Sequence, residues 1–265
     1  MKKYKYVFII LVYRNTIDLK EFFESLKLPE SKVIVVNSFF DEASDKEFKR
    51  IAQFNNADYI TVPNKGYGAG NNRGCEYAIQ NYLFDYLIIS NADIIIQKFP
   101  DYTLKEYNDC IIAPSIRNLK NRPQNPLSAY NSKKLEVLRH KGFKKNSNII
   151  QRLVVYCYSF NKLIFYILYH LKLSSKIFAA HGAFVIFPEN VLKKLTPLYN
   201  EDIFLFCEEG DLAMKARREG IITKYVSEIK ILHKEDGSVS TISDKAKEIL
   251  KDSYITFYNR WYPNK

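Results

Sequence analysis

The sequence predicts an α/β protein built on a mostly parallel sheet, and three observations carry that reading. Short β-rich runs alternate with helically spaced runs through the first half, polar clusters sit at the carboxyl ends of the β-rich runs, and 265 residues, 47% of them apolar, are enough for one large core. Residues 6–12, 32–36, 59–62, 86–90 and 110–113 read as strands, and 19–26, 46–54 and 72–83 carry helical spacing. Such alternation implies parallel strands joined by helical crossovers. In open sheets of this kind ligands bind beyond the carboxyl ends of the strands. Here those ends carry Tyr13-Arg14-Asn15, Asn37-Ser38, Asn64-Lys65-Gly66 and Asn91-Ala92-Asp93, which predicts one shared cleft.

The fourth strand end is the most informative. In LIISNADIII (87–96) an apolar run meets Asn91-Ala92-Asp93, and in extended backbone the two polar side chains point the same way. The segment NKGYGAGNNRG (64–74) adds Gly66, Gly68 and Gly70, which permit close backbone approach, with Asn71, Asn72 and Arg73 opening a helix whose free N–H groups favour anions. These glycines follow the third strand, so a dinucleotide-binding fingerprint, which follows the first, does not fit. Further on, NEDIFLFCEEGDLAMKARREG (200–220) crowds Glu208, Glu209 and Asp211 at a helix start that ends at Gly220. Like charges this close repel and need solvent, the helix's positive end, a metal or a chemical task.

Composition bounds the partners. A formal net charge of +11 predicts attraction to anions such as nucleotides or acidic lipid headgroups, and no nucleic-acid module accompanies it. The cysteines Cys75, Cys110, Cys157 and Cys207 form no C-x-x-C pair, which disfavours a zinc site and suits the reduced thiols of a cytosol. The opening MKKYKYVFIILVY imitates a secretory leader but breaks at Arg14-Asn15 without a small-residue cleavage site, so a buried first strand is the better reading.

The ordered series of motifs resembles the family-2 inverting glycosyltransferases of the GT-A fold, in particular their rhamnosyltransferase-like branch in bacterial surface-polysaccharide synthesis. ILVYRN is similar to the first-strand motif, NKGYGAGNNRG to the nucleotide loop and SNAD to the D-x-D element. HGAF at 181–184 is similar to the segment beneath the donor sugar, CEEGDLAMKARREG to the acidic helix start, and His233-Lys-Glu-Asp-Gly-Ser238 to the closing His-x-x-Gly-Ser. The departures are Asn37 in place of the usual second-strand acid, Asn91 in place of the first acid of D-x-D, Glu209 where many relatives have Asp, and Lys215 for Arg.

The resemblance implies a Rossmann-like central sheet flanked by helices, with a helical insert and a C-terminal helix. It also implies a nucleotide-sugar donor, dTDP-rhamnose or a UDP-hexose, a glycan or lipid-diphosphate-linked acceptor, and Mg²⁺ or Mn²⁺. Donor contacts fall to Tyr13, Asn15, Asn37, Asn64, Gly66, Gly70, Asn71, Asn91, Asp93, Gly182 and Ala183, and metal ligation to Asp93 with His233, for which a satisfied core histidine is the plain alternative. Inversion needs one base, assigned to Glu209 with Glu208 as fallback, leaving Asp211 as a helix cap or acceptor-hydroxyl partner. A sugar-1-phosphate nucleotidyltransferase would share the architecture but should carry a Gly-rich basic loop after the first strand, which Arg14-Asn15-Thr16 is not. A non-catalytic sugar- or lipid-binding relative fits the softened Asn37 and Asn91, and the intact acidic cluster argues against it.

The catalytic domain is assigned to 1–240, with a basic and aromatic insert at about 117–176, and a tail to 241–265. Within the insert, 153–171 is apolar but interrupted by Asn161, Lys162 and His170, which suits an amphipathic helix on protein or on a membrane, placing the chain at the cytoplasmic face of the plasma membrane. In the tail Leu250, Tyr254, Phe257, Tyr258 and Trp261 share one helical stripe, which could cap the domain, pair two subunits as a homodimer or touch membrane.

Overall fold

A computed structural model describes residues 1–235 and 244–263. Gly237 and Ser238 of the closing motif, the boundary at 240 and 241, and the opening of the tail at Ser243 lie outside the described residues. Among those described, nine strands form one sheet: β1 (Lys2–Val12), β2 (Ser31–Ser38), β3 (Asp58–Val62), β4 (Tyr82–Asn91), β5 (Ile94–Lys98), β6 (Cys110–Asn118), β7 (Lys176–Ile177), β8 (Phe184–Pro188) and β9 (Ile222–His233). Their order is β3-β2-β1-β4-β8-β6-β9-β5, with β7 beside β9.

The predicted parallel arrangement holds for β1 to β4 and for β6 with β9, whereas β8 runs antiparallel to β4 and β6, and β5 antiparallel to β9. For β5 the reason is local, because it follows β4 after the two-residue turn at Ala92-Asp93, too short for a crossover, so its direction reverses. Register then levels the polar ends. Val12 pairs with Asn37, Leu11 with Asn91 and Ser90 with Phe184, so the first, second, fourth and eighth strands present their motifs at one sheet edge.

Side-chain alternation feeds two cores. Val7 and Ile9 face one, Phe8 and Ile10 the other, all fully buried. Helices α1 (Ile17–Ser25) and α2 (Glu42–Phe54) cover the second face, and α2 starts where Asp41 accepts the Ser44 N–H at 2.7 Å.

Helix α3 (Tyr67–Asn81) covers the first face and begins five residues before the predicted start. Glycines oppose helix formation locally, but here tertiary packing prevails. A Cβ at Gly68 would lie 2.7 Å from Tyr199 Cβ, at Gly70 2.4 Å from Leu11 Cδ1 and at Gly74 2.3 Å from Ile9 Cγ2, so these glycines bring the helix onto the sheet.

The insert forms α4 (Lys133–Lys144) and α5 (Asn148–His170), each opened by a serine cap, and α6 (Glu189–Leu195) and α7 (Glu208–Arg218) follow. The tail is α8 (Asp244–Trp261). Of its three open roles, the described residues show it packed on its own chain: Tyr254, Phe257 and Tyr258 are buried with Ile203, against Val137 and Phe143 of α4 and Met214 of α7. The Tyr254 hydroxyl donates to Glu136 Oε2 at 2.8 Å and Trp261 Nε1 to Asp211 Oδ1 at 2.6 Å.

Candidate active site

The turn after β4 places Asp93, only 7% exposed, against the last residue of β9. His233 Nε2 lies 3.2 Å from Asp93 Oδ2, and the His233 ring is oriented from behind by Gln124 Oε1, 2.8 Å from Nδ1. The Gln124 contact fixes the ring and aims Nε2 at Asp93, so both groups point into the same space, as two ligands of one cation would. Gln124 is held in turn, donating to Glu235 Oε1 at 2.5 Å. Two residues far apart in the chain, Asp93 and His233, thus meet as one carboxylate–imidazole pair. No motif surrounds Gln124, so nothing in the sequence points to it.

Beside the pair, the Asn91 N–H donates to Ala183 O at 2.9 Å and the Asn91 carbonyl accepts from Ser90 Oγ at 2.9 Å, while among the described residues the Asn91 side chain makes no hydrogen bond. His181-Gly182-Ala183 precedes β8 at the same edge. The His181 N–H donates to Asn125 Oδ1 at 2.7 Å, and its ring centroid is 5.5 Å from that of His233. Burial, reinforced by His233 and Lys162 beside it, pushes His181 down to about 3, so it is neutral at ordinary pH.

The acidic cluster comes in from the other side. Phe206 and Cys207 both hold left-handed backbone, φ +71° and +68°, immediately before α7. Two successive non-glycine residues in that region cost about 1–3 kcal/mol each and persist where surrounding packing over-determines them. The bend sets Glu209 Oε1 3.3 Å from the Gly182 N–H, and a Cβ at Gly182 would come within 3.0 Å of that oxygen, so glycine is the residue that lets the carboxylate approach. Glu208 is 3% exposed with its Oε1 buried and unpartnered.

Burial, with the adjacent Glu209 carboxylate, raises the Glu208 carboxyl well above the usual carboxylate range, and burial raises Glu209 as well, opposed by N–H donation from its own backbone and Gly182. The two carboxylates titrate as a pair. Tyr67, at the start of α3, donates its hydroxyl to Gly182 O at 2.9 Å. Burial and then the charges of Glu209, Glu208 and Asp93 hold that phenol in its neutral form, so all three acids act on one hydroxyl. Tyr67 lies inside the glycine-rich motif, but nothing local marks it, because its partner is 115 residues away.

Asp211 is engaged elsewhere. It is 1% exposed, accepts from Trp261 and lies 3.6 Å from Arg260, so the structure ties it to α8. Burial raises its carboxyl, and the Trp261 N–H opposes the rise.

The remaining predicted donor residues divide by what they already bind. Asn37, fully buried, donates Nδ2 to Asp45 Oδ1 at 2.8 Å and leaves Oδ1 without a partner. Tyr13 meets Phe40 edge-on at 5.4 Å beneath the Arg14 guanidinium, a half-exposed aromatic and cationic corner. Asn15, two residues before α1, accepts from the Ile17 N–H and donates to Asp18.

Because α3 starts at Tyr67, Asn71, Asn72 and Arg73 lie within the helix rather than opening it, and the N–H groups at its actual start are partly used by the protein. Gly66 N–H goes to Asn64 Oδ1 and Tyr67 N–H to Phe204 O, because Gly66, at φ +102°, presses against the Phe204 backbone. Gly70 packs on Leu11, and Asn71 spans its own helix by donating to Tyr67 O while its Oδ1 stays buried and unpartnered. The glycine segment therefore anchors the acidic loop as much as it lines a cleft.

No protein-family model matches the chain. A curated relative, the low-salt glycan biosynthesis hexosyltransferase Agl10 of Haloferax volcanii, is 23% identical over 263 residues, covering 96% of this chain and 73% of the relative. Among solved structures, GalNAc-T7 with UDP, GalNAc and Mn²⁺ aligns with a TM-score of 0.62 at 11% identity over 98% of this chain. The mannosyltransferase PcManGT of Pyrobaculum calidifontis, with GDP-Man and Mn²⁺, aligns at 0.57 and 13% over 98%, and S. aureus TarS at 0.55 and 13% over 98%. The chain spans 48%, 65% and 44% of those three chains. The likeness establishes the fold, a mixed α/β GT-A architecture with helices on both faces of a central sheet.

Proposed function

We propose that this chain is a metal-assisted, inverting glycosyltransferase that moves a sugar from a nucleotide diphosphate to an acceptor hydroxyl. The observation that carries the reading is the meeting, at one sheet edge, of the Asp93–His233 pair with the buried Glu208–Glu209 pair across Gly182. The distant hexosyltransferase relative and the GT-A neighbours, two of them bound to Mn²⁺ and to nucleotides or a nucleotide sugar, support it.

Asp93 and His233 suit a divalent cation. Among the described residues no three His, Cys, Asp or Glu side chains gather, so the protein offers two ligands and leaves the others to diphosphate oxygens and water. Mn²⁺ or Mg²⁺ bound there would offset the negative charge growing on the departing diphosphate. Asn91, unengaged, is suited to align the diphosphate or ribose, and Gly182-Ala183 to let the sugar lie against backbone.

Glu209 then acts on the acceptor. The acceptor oxygen forms its bond to the anomeric carbon as the carbon–diphosphate bond breaks on the opposite face, and the hydroxyl proton passes to Glu209. A carboxylate whose proton affinity is raised by burial is a stronger base for that step. The Phe40–Tyr13–Arg14 corner suits a nucleobase, dTDP-rhamnose or a UDP-hexose being the donors favoured, with a glycan or lipid-diphosphate-linked acceptor in surface-polysaccharide synthesis at the cytoplasmic face of the plasma membrane.

A thermal-shift screen of nucleoside diphosphates with and without Mn²⁺ or Mg²⁺, followed by turnover of the matching nucleotide sugar, tests the reading. It predicts stabilisation by a pyrimidine nucleoside diphosphate that depends on metal, then release of that diphosphate. Stabilisation only by nucleoside triphosphate with a sugar 1-phosphate would replace it with nucleotidyl transfer.

A further inference from the structure

The outward face of α5 is bare. Ile149, Leu153, Tyr156, Phe160, Leu163 and Ile167 recur at alternating spacings of four and three, which puts them on one side of the helix, and each is between 51% and 81% exposed. The opposite side is fixed to the protein by buried Val154 and Phe165. A helix apolar on both sides ordinarily lies inside a protein, and exposed apolar patches of this size mark a docking surface.

The stripe is also free of charge. Lys162, the one charged residue of α5 beyond Arg152, turns inward and donates to Pro123 O and Gln124 O at 2.9 and 3.0 Å. Its inward turn leaves exposed Arg152, beside the first turn of the stripe, as the charge α5 presents outward, and braces the loop that orients His233.

Charge identifies the occupant. Residues 117–176 hold thirteen lysines and arginines and a single acid, Glu136, which is buried. Of the chain's 40 basic and 29 acidic residues, 27 and 28 therefore lie elsewhere, so the whole formal charge of +11 resides in this insert. A second copy docked through the same face would bring the same positive charge against it. An anionic surface with an apolar interior complements both features at once. Lys141, Lys144 and Lys145 lie before the stripe and Lys172 just after it, at the two ends of a helix about 35 Å long. Among the described residues no helix is long and apolar enough to cross a membrane.

We propose that α5 lies flat in the headgroup boundary of an anionic bilayer, its stripe toward the acyl chains and its basic ends on the headgroups. An open groove of about 620 Å³ between α4 and α5, lined by Leu135, Tyr156 and Phe160, opens beside the same stripe and offers further apolar surface to the bilayer.

Co-sedimentation of the full chain with phosphatidylcholine vesicles and with vesicles containing 30 mol% phosphatidylglycerol, at low and high salt, tests this, with the free protein's oligomeric state followed by analytical ultracentrifugation. The account predicts strong binding to anionic vesicles at low salt, since exposed charges are screened beyond about 10 Å at 0.1 M. It also predicts a loss of tenfold or more in Phe160→Glu/Leu163→Glu at both salts, and a loss confined to low salt in Lys141→Gln/Lys144→Gln/Lys145→Gln, with circular dichroism unchanged in both. Three results would overturn it: no binding at low salt, binding indifferent to Phe160→Glu/Leu163→Glu, which would assign the surface to a soluble polyanion, or a dimer of the free protein dissociated by that variant while vesicle binding persists.

Discussion

The two ends of the cleft are built on opposite electrostatic principles. At Asp93 and His233 a carboxylate faces an imidazole nitrogen, with the ring held from behind by Gln124. At Glu208 and Glu209 two acids are buried side by side, one oxygen has no partner, and the backbone before them is left-handed at two successive residues. The first arrangement costs the fold little and is shaped to receive a cation. The second raises carboxyl proton affinity at the expense of stability, which is worthwhile only where a proton must be taken.

The sharpest way to break that contrast is to keep shape and remove the proton acceptor. Glu209→Gln should lower turnover by about 10²-fold or more with donor affinity held, measured by nucleoside-diphosphate release and by titration calorimetry. If Glu208→Gln shows the loss instead, the base is its neighbour. Retention of anomeric configuration in the product would exclude a single displacement by either.

At the complementary end the supporting residue should matter next. Gln124→Ala removes the group that fixes the His233 ring, and metal-dependent nucleotide affinity should fall by roughly tenfold with metal-independent affinity unchanged, the usual size of effect for a group that orients a metal ligand.

A smaller effect separates function from stability. Glu208 has a folded-state pKa raised above its unfolded value, so its contribution favours the fold below the unfolded pKa and is lost as pH rises through the folded pKa. Glu208→Gln should therefore raise the Tm at neutral pH by roughly 2–4 °C, about 1 kcal/mol, and the gain should vanish below about pH 4. A constant gain across pH would mean that the charge is not its source. The smallest change belongs to Asn91→Asp, which adds an acid beside Asp93 and should alter nucleotide affinity by less than about threefold.

How much of this was legible beforehand follows from where each constraint lies. The first four strands and the helices between them were readable because their apolar periods are local. Asp93, His233 and Glu209 were readable because each sits in a motif at a strand or helix end. The early start of α3 was not, because glycine reads as loop until Tyr199, Leu11 and Ile9 are seen to need its missing Cβ. The pairing of β5 with β9 and the direction of β8 depend on which edges remain open, and Tyr67, Gln124 and Asn125 act through partners 56 to 115 residues distant, which no window along the chain connects. The division of charge between insert and core was present in composition, but its meaning needed the exposed face of α5.

The central claim is that Asp93, with His233, holds a cation that recruits the donor's diphosphate. Calorimetric titration of the nucleoside diphosphate selected by the thermal-shift screen into wild type and Asp93→Ala, each with and without Mn²⁺, addresses it directly. The account predicts that Mn²⁺ tightens binding to wild type by at least tenfold and leaves Asp93→Ala, still folded, with weak binding that does not respond to metal. Equal metal-dependent affinity in the two proteins would contradict it.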